Sequence, residues 1–203
     1  VQTLFSHSKS ELDSLQLHWA QTRFQQLQEH IPALDALAEK QGVKIITDFE
    51  TLATILFTHQ VYKNYPFAFI ERKLFTELTR WLNKLTAHDL SSLDMRGVNT
   101  IDEWLTRLDE AGMFVFHSTG TSGKLSFFPR SQTEKEAWVE GTYTFLEALM
   151  PGIRNLHLPV FWPAYRSGRQ ASMRLITHFG PALAGSDTEY HSLFNTPMSA
   201  DFM

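Results

Sequence analysis

Apolar residues near the start of the chain recur at three- and four-residue steps: Leu17, Ala20, Phe24, Leu27, Ile31 and Leu34. That spacing puts them on one face and predicts a helix over Ser10 to Gln41. Pro32 removes a backbone donor and kinks or divides it, and Gly42 is a natural stop. Val43-Lys44-Ile45-Ile46 reads as a short strand. Asp48 then serves as N-cap to a segment with Thr51, Leu52, Ile55 and Leu56 on it. The run Tyr62 to Pro66 breaks the pattern, since the residue before proline avoids the helical region. Ile70, Leu74, Leu78, Trp81, Leu82 and Leu85 form the stripe of one amphipathic helix. His88 to Asn99 is a loop. Thr100 with Glu103 has the spacing of a capping box ahead of Trp104, Leu105 and Leu108, and Gly112 ends that helix. Trp19, Trp81, Trp104 and Trp138 all fall on helical apolar stripes and read as core residues.

The pattern changes at Met113. Met113-Phe114-Val115-Phe116 is a compact apolar strand, a Ser/Thr/Gly loop follows at once, and Lys124 to Arg130 has the alternation of a second strand. Ser131 caps a helix running to about Met150. Leu156 to Phe161 predicts a strand, Gly168 to Leu183 a helix and Thr188 to Phe194 another strand. The expected fold class is therefore α/β, with an α+β front half. A mostly helical region spans 1–112, and 113–203 begins an α/β layer structure.

Composition narrows this picture. The chain has 203 residues, 43% hydrophobic and 20% charged, which suits a globular protein with a real core. Net charge is -4, giving no nucleic-acid footprint and no polybasic membrane patch; the expected location is cytoplasmic. With no cysteine, a disulfide scaffold, a thiolate metal site and a cysteine nucleophile are excluded. The nine histidines show neither a helical i, i+4 pair nor HExxH, so no metal-ligating set is expected. The chain starts at Val1 and stops at Met203 shortly after Phe194-Asn195-Thr196-Pro197, which reads as part of a longer protein or as a processed start with a loose tail.

The candidate chemistry lies in Ser118-Thr119-Gly120-Thr121-Ser122-Gly123-Lys124. Glycines permit tight turns and close approach of backbone N–H groups to a ligand. Successive N–H groups form a concave nest for an anion, the hydroxyls add donors, and Lys124 adds a mobile positive charge. The run is not a Walker A loop, since Ser118 stands where glycine is needed and Leu125 follows the lysine. It precedes a strand, unlike a dinucleotide fingerprint, and lacks the Gly-x-Ser-x-Gly of a nucleophile elbow. An ordinary hairpin turn uses the same residue types, so both readings stand on composition alone.

The order Gly120-Thr121-Ser122-Gly123-Lys124 after a strand resembles the signature loop of the adenylate-forming superfamily. The usual signature continues with proline and lysine, where this chain has Leu125 and Ser126. It therefore looks more like the acyl-protein synthetase (LuxE-like) and phenylacetate–CoA ligase-like branches. The resemblance covers about Met113 to Leu193. It implies an ATP- and Mg²⁺-dependent ligase that activates a fatty or aryl carboxylic acid as acyl-adenylate, for transfer to CoA or an acceptor protein. It implies phosphate contacts from Ser118 to Lys124, and an acyl pocket bordered by Trp162 or Tyr165. The superfamily's adenine, ribose and lid motifs are absent, so the chain alone is expected to bind nucleotide weakly and to form no adenylate. The alternative is a non-catalytic helical interaction module with a structural Ser/Thr/Gly turn; a third reading is a transferase using a phosphorylated donor such as CoA. Arg154, Arg166, Arg169 and Arg174 are an anion contact at a helix start or a solvated face. His117 touches ligand or is a partly buried strand-end residue. Glu134, Glu136 and Glu140 read as a solvated helix face.

Overall fold

A computed structural model describes residues 6–120 and 123–202. The chain divides into two compact units, one ending at Arg96 and the other starting at Gly97. The first helix of the back unit thus lies ahead of residue 113, where the sequence pattern changes.

The front unit is helical. Helix α1 (Lys9–Leu27) starts in a capping box made by Ser8 and Glu11, and a 3₁₀ turn separates it from α2 (Pro32–Gln41). Pro32 thus divides the predicted helix and occupies the first turn of its second half, where the missing N–H costs nothing. Gly42 closes α2 in the left-handed conformation at φ 67°. Phe24, Ala38, Ile46 and Ile55 form a core cluster, with Leu17, Ala20 and Leu34 packed against it. Trp19 is a correction: it is 60% exposed, because it falls outside the stripe centred on Phe24.

Two other expectations fail in this unit. Val43 to Ile46 forms no strand; Ile46 turns into the core while Ile45 stays exposed, and the Ile46 carbonyl accepts from the Gln21 side chain at 3.0 Å. A lone extended segment without a neighbour to pair with gains nothing as a strand. Asp48 does cap α3 (Phe49–Thr54), accepting from the Thr51 N–H. The stripe from Ile70 to Leu85 is carried by two helices, α4 (Ala68–Glu71) and α5 (Phe75–Asn83). Lys73 between them sits at φ 55°, a left-handed residue that no continuous helix contains. Leu78 and Leu82 remain fully buried.

In the back unit, α6 (Ile101–Glu110) starts at Thr100, which accepts from the Glu103 N–H. The Glu103 carboxylate reaches the Asn99 N–H rather than Thr100, so only half of the predicted box forms. Trp104, Leu105 and Leu108 are fully buried. Strands β1 (Phe114–His117) and β2 (Phe127–Arg130) pair antiparallel, from Phe114↔Arg130 to His117↔Phe127. Trp104 meets Phe127 edge-to-face at 5.0 Å, which joins helix and hairpin into one core. Helix α7 (Gln132–Leu149) begins in a complete capping box of Ser131 and Glu134.

A parallel β–α–β unit follows: β3 (Val160–Gly168), α8 (Ala171–Ala184) and β4 (Tyr190–Met198). The third strand starts at Val160 rather than Leu156, and its register with β4 shifts on both sides of Tyr165. Pro163 cannot donate to the ladder within the first of these irregular stretches. The mixed α/β architecture thus agrees with the expected class. Gly180 of α8 lies so close to Tyr190 of β4 that an added Cβ would stand 2.6 Å from the ring.

Candidate functional site

The loop between β1 and β2 is built from its ends inward. The Ser118 N–H donates to the Ser126 carbonyl at 3.0 Å, and the Ser118 hydroxyl accepts from the Ser126 N–H at 2.9 Å. Ser118 therefore extends the hairpin by one rung and clasps the loop's base. Further out, the Gly123 N–H donates to the Gly120 carbonyl at 2.7 Å, closing a four-residue turn. Gly120 and Gly123 sit at φ 69° and 78°, a region costly for a residue with a Cβ. Thr121 and Ser122, between them, lie outside the described residues. Thr119 is exposed, and its N–H and that of Gly120 find no acceptor among the described residues. Lys124 is half-buried at the second foot. One loop thus brings together Ser118, Thr119, Gly120, Gly123 and Lys124 of the predicted set.

His117 ends β1 just before the loop and is 3% exposed. Its N–H donates to the Arg169 carbonyl at 3.3 Å, tying the loop's base to the start of α8. Its Nδ1 lies 2.8 Å from the Ser118 carbonyl, which places the proton there and leaves Nε2 as an acceptor. That Nε2 is buried and has no hydrogen-bond partner among the described residues. Burial pushes the imidazole pKa below the ordinary histidine value, against smaller opposing effects of the Ser118 carbonyl and Asp102.

Trp162 and Tyr165 lie on β3, both half-buried. Their pairing is with Ser192 and Phe194 of β4, and the Tyr165 and Phe194 rings stack at 4.8 Å. The Trp162 indole nitrogen is buried and has no hydrogen-bond partner among the described residues.

The arginines do not form one basic cluster. Arg154 pairs with Glu140 at 2.7 Å and Arg166 with Asp187 at 2.6 Å. Arg169 and Arg174 converge instead on Asp109 of α6, at 3.3 and 2.8 Å. These two line a cavity of about 570 Å³ with Asp102, Asp109, Lys135 and the strand ends Ser167–Gly168 and Pro197–Ser199. Neither Trp162 nor Tyr165 lines it. Asp102 accepts from the Ser199 hydroxyl and the Ala200 N–H. Of the helix-face glutamates, Glu134 is committed to capping and Glu140 to Arg154.

Sequence reasoning singled out Arg169 and Arg174 but missed Asp102, Asp109, Lys135 and Ser199. Asp109 lies sixty residues before Arg169, and no local pattern announces such a pair. Among the described residues no group of three or more histidine or acidic side chains is placed to hold a metal ion, and no helix is long and apolar enough to cross a membrane. No family model, curated protein or solved structure matches the chain.

Proposed function

We propose that the β1–β2 loop is a phosphate-binding loop, and that the chain is part of an ATP-dependent ligase that activates a carboxylic acid as acyl-adenylate. The observation that carries this reading is the turn itself. Two left-handed glycines, Gly120 and Gly123, close it, and among the described residues the N–H groups of exposed Thr119 and half-buried Gly120 have no acceptor. Such a turn suits an anion. Its base is held by the doubly bonded Ser118–Ser126 rung and by buried Phe116 and Phe127, so the feet of the loop are ordered before a ligand arrives. Lys124 supplies the positive charge. In this reading Mg²⁺ is carried by the phosphate oxygens of ATP. No protein nucleophile is needed: an oxygen of the acid's own carboxylate attacks the α-phosphorus, the bond to the β-phosphate oxygen breaks and pyrophosphate leaves, and the chain contributes positioning and charge stabilisation.

Calorimetric titration of Mg-ATP into the chain and into a Gly120→Val, Gly123→Val variant tests it. Saturable binding by the native chain, weakened at least about tenfold in a variant with an unchanged circular dichroism spectrum, is expected. Equal affinity of the two proteins would return the loop to an ordinary turn.

A further inference from the structure

We infer that the cavity bordered by α6, α7, α8 and the C-terminal ends of β3 and β4 is a binding site for a small oxyanion-bearing ligand, a carboxylate or a phosphate. The inference needs no nucleotide and stands apart from the loop reading.

The charge balance of the wall comes first. Lys135, Arg169 and Arg174 face the cavity against only two carboxylates, Asp102 and Asp109, so the lining is positive in a chain whose net charge is -4. Both carboxylates are already engaged. Asp109 is shared by both guanidinium groups. Asp102 takes the Ser199 hydroxyl and the Ala200 N–H, and lies 3.9 Å from Arg169. Lys135 has no carboxylate within ion-pair distance among the described residues; its ammonium rests over the Phe114 ring at 4.1 Å, which holds the charge at the wall without neutralising it.

The second basic group is fixed in place at the wall. Arg174 is only 16% exposed, and its guanidinium donates to Asp109 and to the Val115 carbonyl. A guanidinium presents donors and no acceptor, so the part of it that lines the cavity suits an oxyanion. The start of α8 adds to this. Gln170 stands at the N-cap, but its side chain gives no cap bond and donates instead to the Met198 sulfur at 3.3 Å. Arg174, Thr177 and His178 then project from one face of α8 into the cavity wall. A volume of about 570 Å³ lies within the range of small-molecule sites.

Inorganic phosphate and succinate, titrated separately into the full chain with backbone amide NMR as readout, test this and distinguish the two sources. At least one probe is expected to saturate, with the largest shifts at Gly168 to Arg174 and at Ser199. Lys135→Met, which keeps a long apolar stem over Phe114, should raise the dissociation constant about tenfold for that probe, as should Arg174→Gln where the fold survives. No saturation with either probe up to about a hundred times the millimolar range of weak ligands, or saturation that Lys135→Met leaves unchanged, overturns the inference.

Discussion

The helices that begin the two units bury very different shares of their residues. In the front unit α1 carries nineteen residues but buries one of them, Phe24, and leaves Leu15 and Trp19 at 43% and 60% exposure. In the back unit the ten-residue α6 buries four, Ile101, Trp104, Leu105 and Leu108. The long helix rests on a capping box and one small cluster; the short one is the centre of a core shared with the hairpin. Helix length therefore says little about how much a helix contributes, because packing of an apolar face outweighs propensity. The same contrast locates the candidate chemistry. The loop grows from the hairpin that Trp104 packs against, so its position is set by the core of the back unit.

Truncation of each core should show the contrast most directly. Trp104→Ala removes a side chain with no exposed surface and its contact with Phe127, and should cost about 4–5 kcal/mol. Phe24→Ala, in a cluster of four with room to collapse, should cost about 3 kcal/mol. Urea denaturation followed by tryptophan fluorescence and circular dichroism measures both; a larger loss from Phe24→Ala would invert the comparison.

Capping gives a finer probe, because both units start a long helix with the same device. Ser131→Ala should destabilise by about 1 kcal/mol and Ser8→Ala, at an exposed end, by about 0.5 kcal/mol. Equal losses in thermal melts would mean that the surroundings of the two boxes do not matter.

The smallest effect is one of pH. His117 is buried neutral, with its pKa held below the value of 6.5 it has when unfolded. Between these two values the unfolded chain binds more protons than the folded one, so stability falls as pH drops below about 6.5 and levels off beneath the folded pKa. Above 6.5 the contribution is complete. Melting temperatures at pH 7.5, 6.5 and 5.5 should decline for the native chain and decline less for His117→Asn. Parallel curves would place the pH dependence elsewhere.

Much of this was legible in the residues and some was not, for physical reasons. The caps at Asp48, Thr100 and Ser131 and the stop at Gly42 are local, so spacing alone locates them. The hairpin was legible because Phe114 to Phe116 and Phe127 to Arg130 flank residue types that turn. Val43 to Ile46 misled because β-branched composition carries no information about whether a neighbouring strand exists. The break at Lys73 was invisible because lysine is an ordinary helix former, whereas here it takes the left-handed conformation of a helix end, across which the Leu74 N–H reaches back to the Phe69 carbonyl at 2.8 Å. Trp19 misled because a tryptophan one position off a stripe still looks apolar in a window. In the cavity, Arg169 and Arg174 stood out only as members of a run with Arg154 and Arg166, while Asp109, which both cavity arginines bind, is distant in sequence and did not.

The pairing pattern of the back unit also orders its assembly in time. His117 meets Phe127 across ten intervening steps of chain, whereas Val160 meets Tyr190 only after thirty, with all of α8 between. Short closures cost less entropy and precede long ones. The hairpin is therefore expected to form before the parallel unit closes. The cavity, whose wall needs α6, α7, α8 and both parallel strands, exists only once the last of these has docked. A ligand in the cavity would thus meet a late, cooperative product of folding, and a ligand at the loop an early one.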